Sequence, residues 1–125
     1  MILDASALLA LLQNEPGAEK VASVIGQSKI SSVNWSEVIQ KLSRHDNEAA
    51  NIRPDVEALG LIIIPFSAEQ AEATAALWSI SKPFGLSLAD RVCLQLGMSM
   101  NETVLTADTV WTKVEHADLR VELVR

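Results

Sequence analysis

An α/β fold, a parallel sheet covered by helices, is predicted by three features of this sequence. Short apolar runs alternate with segments of helical periodicity, the order that strand–helix–strand units require. Leu61-Ile62-Ile63-Ile64-Pro65 is continuously apolar, as a strand buried on both faces should be. Neither a linker nor an internal repeat interrupts the 125 residues. They read as a single domain, 1–125, large enough to bury roughly two thirds of its unfolded surface.

The first strand is expected at Ile2–Leu3, followed by a helix over Ala5–Leu12 that Gln13-Asn14 stops. Pro16 suits the first turn of a second helix ending near Gly26, and a second strand follows over Lys29–Ser32. A third helix is expected from about Trp35 to His45, and a fourth from about Glu48 to Leu59, with Pro54 delaying its start until Asp55. The third strand takes Leu61–Phe66. Ser67 with Gln70 forms a capping box for a fifth helix through Ile80, after which Lys82-Pro83-Phe84-Gly85 breaks the pattern into a loop. Leu88–Met98 is apolar nearly all round, which predicts a central helix packed on several sides. Thr103–Thr106 and Arg120–Val124 complete five strands, with a short helix at about Thr109–Glu115 between them.

Composition bounds the function. Hydrophobic residues make up 49%, near the upper end for a soluble protein, with no run of membrane-spanning length. No membrane is expected, and some apolar surface is left for a protein partner. No basic, apolar leader precedes the first strand, so the cytoplasm is the expected location. The single cysteine, Cys93, has no Cys or His at zinc-site spacing and lies among Val92, Leu94 and Leu96, the setting of a buried structural thiol. A formal charge of −6 argues at first sight against a nucleic-acid partner.

Four acids weaken that objection. Asp4, Glu37, Asp90 and Asp108 each stand where an apolar run gives way to a helical pattern. If those runs are parallel strands, right-handed crossovers bring every strand-to-helix junction to one sheet edge, where open α/β sheets bind ligands. Each acid also has a plain structural explanation. Asn34 with Glu37, and Ser87 with Asp90, fit the cap-x-x-acid pattern, and Asp4 and Asp108 can themselves be N-caps. Taken together, the acids favour a cation site, because two carboxylates about 4 Å apart repel by roughly 4 kcal/mol at an effective dielectric of about 20. Mg²⁺ or Mn²⁺ suits such an oxygen set, and keeps positions open for phosphate. Two such ions would move the formal charge from −6 to −2 and would themselves bind phosphate. Lys29, Lys41, Arg44, Arg53, Lys82 and Arg91 are the cations that could rim the site. Arg91 adjoins Asp90, but successive helical residues point about 100° apart, so adjacency alone does not place it there. Trp35, Trp78 and Trp111 suit core or interface positions, with base stacking as the alternative, most of all at Trp35. His45 and His116 suit surface or capping roles.

The stretches Leu3-Asp4-Ala5-Ser6-Ala7-Leu8-Leu9-Ala10-Leu11-Leu12, Asn34-Trp35-Ser36-Glu37-Val38, Gly85-Leu86-Ser87-Leu88-Ala89-Asp90-Arg91-Val92-Cys93-Leu94 and Leu105-Thr106-Ala107-Asp108-Thr109-Val110-Trp111 resemble the four signature blocks of PIN-domain ribonucleases, the VapC toxins of bacterial toxin–antitoxin pairs above all. The blocks fall in the family's order over essentially the whole chain. The resemblance implies a three-layer α/β/α sandwich with a mostly parallel central sheet of about five strands. It also implies a Mg²⁺ or Mn²⁺ site, an RNA substrate, 5′-phosphate and 3′-hydroxyl products, a VapB-like antitoxin and a homodimer. By position it makes Asp4, Glu37, Asp90 and Asp108 the catalytic, metal-binding acids, with Ser6 and Thr106 as hydroxyls that orient them. The alternative is a PIN fold kept as an RNA-binding or regulatory module with little catalysis. A receiver-like phosphorelay domain would want an acid after its central strand, where Pro65-Phe66-Ser67 has none.

Overall fold

The computed structural model describes residues 1–43 and 51–125. Its five strands, β1 (Ile2–Leu3), β2 (Lys29–Ser31), β3 (Ile62–Ile64), β4 (Val104–Thr106) and β5 (Val121–Leu123), form one parallel sheet in the order β3-β2-β1-β4-β5. The helices are α1 (Ala5–Leu12), α2 (Ala18–Val24), α3 (Ser32–Ser43), α4 (Ile52–Ala58), α5 (Ala68–Ala75), α6 (Trp78–Ser81) and α7 (Leu88–Met100).

The strand of two residues holds the centre. Ile2 and Leu3 are fully buried, and alternation along a strand sends them to opposite faces. Leu3 joins Leu8, Val21, Val38 and Val56 from α1–α4, whereas Ile2 joins Leu77, Cys93, Leu94 and Trp111 from the α5–α7 side. The result is the three-layer α/β/α sandwich. Burial of each such side chain contributes about 1.5–3 kcal/mol, so β1 is held by packing rather than by length. Its backbone is also paired on both sides: the Ile2 amide donates to Thr103 O at 2.8 Å, and the Lys29 amide donates to Met1 O at 3.0 Å.

Several expectations change. Leu61–Phe66, the clearest strand candidate in the sequence, supplies an edge strand whose Ile62 is 54% exposed, not a strand covered on both faces. Apolar content marks it as a strand but cannot give its place in the sheet. Helix α3 begins at Ser32, three residues early, because the Ser31 hydroxyl accepts from the Val33 amide and takes the capping role. Its expected end at His45, the start of the next helix at Glu48 and Arg44 lie outside the described residues. Pro54 does not delay α4, since it falls in the first turn, where its missing N–H has no acceptor to serve. The fifth helix divides at Ala76-Leu77, where Leu77 turns into the core, and Lys82–Phe84 is a 3-10 turn. A 3-10 turn also replaces the last helix, over Thr109–Lys113.

Helix α7 lies close against the sheet. A Cβ added to Gly97 would collide with the Val104 side chain, and would meet Glu102 O at 3.2 Å, so only glycine allows this approach. That contact fixes the height of α7, and with it the position of its first turn. Among the described residues no helix is long and apolar enough to cross a membrane.

Candidate metal centre

Asp4 follows β1 directly and caps α1. Its Oδ1 accepts from the Ala7 amide at 2.8 Å and from Ser6 Oγ at 2.7 Å, and its Oδ2 accepts from Thr106 Oγ1 at 2.8 Å. The Ser6 hydroxyl also stands 2.9 Å from Oδ2, but it has one proton to give. Three protons thus meet four lone-pair positions, which leaves room for a further electrophile. Asp4 is only 6% exposed. Burial pushes its carboxyl up to about 6, against the hydrogen bonds of Ser6, Ala7 and Thr106, and the Asp90 charge adds to the push.

Ser6 and Thr106 tie β1 to β4. Thr106 Oγ1 accepts from the Asp108 amide at 3.1 Å, Ser6 Oγ accepts from the Ala107 amide at 2.9 Å, and the two hydroxyls are 3.3 Å apart. Both hydroxyls therefore address Asp4, and only Thr106 reaches Asp108, through its backbone amide. Asp108 itself is exposed, with Oδ1 accepting from the Val110 amide at 3.0 Å.

Glu37 and Asp90 arrive from the other side of β1. No strand precedes Asp90: Gly85–Ser87 is a loop, and the acid reaches the strands' C-terminal edge because α7 starts there before running back into β4. The Ser87–Asp90 capping box is present, with Oδ2 of Asp90 accepting from the Ser87 amide at 2.9 Å. Asn34 is not the cap expected of it. Inside α3 and 1% exposed, it donates from Nδ2 to Glu37 Oε1 and to Ala89 O, both at 3.0 Å, so it links the two acid-bearing helices. Its Oδ1 is buried without a partner among the described residues. Sequence reasoning missed this bridge, although its signal was there: an amide one helical turn before an acid.

Three of the acids lie near enough to Cys93 for their charges to act on it. This thiol is fully buried, and its pKa is raised first by burial and then by the charges of Asp4, Asp90 and Glu37. Asp108 stands further out. None of the four acids has an ion-pair partner among the described residues. Lys29 lies at the opposite end of the sheet on Glu102, and Arg53 pairs with Glu57, so neither rims the site. His116 keeps a local role, with Nδ1 accepting from the Asp118 amide. Surface cavities of about 350 and 430 Å³, beside β3 and beside the α1–α2 connection, are lined by none of the four acids.

An oxygen-only donor set suits a hard divalent ion. As they stand, no three Asp, Glu, His or Cys side chains among the described residues come close enough together to enclose one. Capping contacts hold one oxygen of Asp90 and one of Asp108, each at its own helix or turn. The other oxygen of each carries no protein hydrogen bond among the described residues.

Comparison with known proteins agrees with this architecture. No curated protein matches the chain significantly. Among solved structures, a toxin–antitoxin complex from Klebsiella pneumoniae has a similar fold, at 21% identity and TM-score 0.73, covering 94% of this chain and 93% of that one. VapBC2 from Rickettsia felis, solved on a DNA fragment from its promoter, is similar at 17% identity and TM-score 0.69, covering 98% and 96%. FitAcB from Neisseria gonorrhoeae is similar at 22% identity and TM-score 0.71, covering 96% and 94%. The PIN domain model matches residues 1–117, and the chain therefore belongs to the PIN domain family.

Proposed function

We propose that this chain is a Mg²⁺- or Mn²⁺-dependent endoribonuclease and the toxin of a type II toxin–antitoxin pair. It works in the cytoplasm as one domain spanning 1–125, as a homodimer, restrained by a VapB-like antitoxin. One observation supports the chemistry most: the fold brings four acids from four separate chain segments to the C-terminal edge of the sheet, and none of them has a protein cation as partner among the described residues. The toxin role draws on the similar toxin–antitoxin structures.

Asp4, Glu37 and Asp90 would hold the principal ion, with Asp108 at the rim completing a second position or binding through water. Ser6 and Thr106 fix the Asp4 carboxylate, and Asn34 fixes Glu37. When bound, the ion supplies a water of lowered pKa and positive charge beside the phosphate. The chain's own part is to orient that oxygen set and to hold Asp4 where no protein cation among the described residues competes for it. An open edge also suits a polymer better than an enclosed pocket would.

RNA cleavage by the purified protein tests the proposal. Activity should require Mg²⁺ or Mn²⁺, stop in EDTA and vanish in the Asp4→Asn, Asp90→Asn double variant. Full cleavage by that variant would remove these acids from the chemistry. RNA binding without cleavage by the wild type would favour the regulatory-module alternative.

A further inference from the structure

Trp78 opens α6 with its side chain half in water, at 51% exposure. It differs from the other exposed large apolar residues, Leu59, Ile62, Leu88 and Met100, in having two cations against it. The Arg91 guanidinium lies 5.2 Å from the ring centroid, and the Lys82 ammonium lies 5.9 Å from it. Neither cation forms an ion pair among the described residues, whereas Lys20, Lys29 and Arg53 all do. Arg91 Nε is buried without a hydrogen-bond partner there. Position matters as much as charge. Arg91 follows Asp90 on α7, and the Lys82–Phe84 turn packs on the Thr109–Lys113 turn that Asp108 caps. The elements that bring two of the acids to the edge also carry or pack against the two cations on this tryptophan.

We propose that Trp78, Arg91 and Lys82 form a subsite for an unpaired segment of RNA passing the carboxylates. The ring stacks one base and the two cations hold the flanking phosphates. The proposal rests on the ribonuclease function and names its substrate class, single-stranded rather than duplex. A paired base has both faces covered by its neighbours and cannot offer one to a side chain, while an unpaired base can. Charge points the same way, because a chain of formal charge −6 must hold phosphate by local cations. Lys82 sits near the outer limit, about 6 Å, of a cation–π contact, so a base can replace it on the ring at little cost. Trp35 packs against the core, as first expected of it, and the stacking alternative passes to Trp78.

The test uses a fluorescent single-stranded oligoribonucleotide, with anisotropy in the Asp4→Asn background and cleavage kinetics in the wild type. Trp78→Ala should weaken binding by roughly five- to a hundredfold, with Trp78→Phe retaining most of it. Lys82→Gln and Arg91→Gln should each make the slope of log affinity against log salt shallower by about 0.7. RNA should quench tryptophan emission in the parent but not in Trp78→Phe, a readout that holds even if the alanine variant folds poorly. Unchanged binding, quenching and salt slopes alongside intact Mg²⁺-dependent cleavage would overturn the subsite and leave the ribonuclease standing. Failure of the wild type to bind or cut any RNA would overturn both. Lost self-association in Trp78→Ala with RNA affinity intact would assign the ring to a protein interface and overturn the subsite.

Discussion

The two ends of the central sheet treat acids in opposite ways. At the N-terminal end Glu102, ahead of β4, receives Lys29 Nζ at 2.6 Å and the Met1 ammonium at 2.9 Å. Burial alone would push its carboxyl up, but the hydrogen bonds and charges of Lys29 and Met1 outweigh it and hold the pKa below the ordinary glutamate value. At the C-terminal end Asp4 has hydroxyl and amide donors but no cation among the described residues, and it rises to about 6. An acid that serves the fold is given its counter-charge by the chain. An acid left without one has only hydroxyl and amide donors to meet its charge, and the contrast between the ends can be tested directly.

The largest expected difference is in activity. Asp4→Asn should lower RNA cleavage by at least about a hundredfold, the scale of losing a key electrostatic stabiliser. Glu102→Gln should cut like the wild type. Initial rates in Mg²⁺ would decide, and equal losses would erase the distinction between the ends.

The next difference is in the sign of pH dependence, measured by denaturant unfolding in EDTA. Asp4 has a folded pKa of about 6 against 3.8 unfolded, so between those values the folded state binds more protons. Its contribution to stability is fully present below pH 3.8 and is lost as pH rises through about 6, by up to about 3 kcal/mol. Asp4→Asn should flatten that slope. Excess Mg²⁺ should do the same in the wild type by holding the carboxylate charged.

How much of this was legible in the sequence depended on whether the signal was local. Apolar runs and capping residues placed all five strands and the Ser67 and Ser87 boxes, because those contacts span three or four residues. The sheet order was not legible, and so the Leu61–Phe66 run was expected inside while the two-residue strand took the centre. The acids stood out through their position before helices, yet the reason for the Asp90 position was different: a crossover helix starts at the edge, with no strand before it. Thr106 on Asp4 joins residues 102 apart, and Asn34 on Ala89 spans 55. No local pattern encodes such contacts. The Arg91–Trp78 pair escaped for the same reason.

A smaller effect separates capping from metal holding at Asp90, whose side chain does the first in this structure. Asn can still accept from the Ser87 amide, so Asp90→Asn should cost well under the ~1 kcal/mol of a lost cap, and relief of repulsion with Asp4 should offset even that. In EDTA the variant should melt as high as the wild type or higher. Mg²⁺ should raise the melting temperature of the wild type and of Glu102→Gln equally, and that of Asp90→Asn much less, since a ligand stabilises only the state it binds. An Asp90→Asn protein that melts lower in EDTA and gains the full Mg²⁺ increment would leave Asp90 as a cap alone.

The smallest effect belongs to the paired end. Lys29 and Glu102 are each about a quarter exposed, so water screens them and their bridge should be worth ~0–1 kcal/mol. Its pH dependence runs opposite to that of Asp4. A carboxyl with a depressed folded pKa adds stability above its unfolded value, near 4.5, and loses it as pH falls through the folded value. The stability gap between wild type and Glu102→Gln should therefore be constant at neutral pH and close on acidification below about 4.5, with or without Mg²⁺. Lys29→Met should narrow the gap at neutral pH by removing one partner. If instead the Glu102→Gln gap responded to Mg²⁺, the ion would be acting at both ends of the sheet, and the division between a paired end and a waiting one would fail.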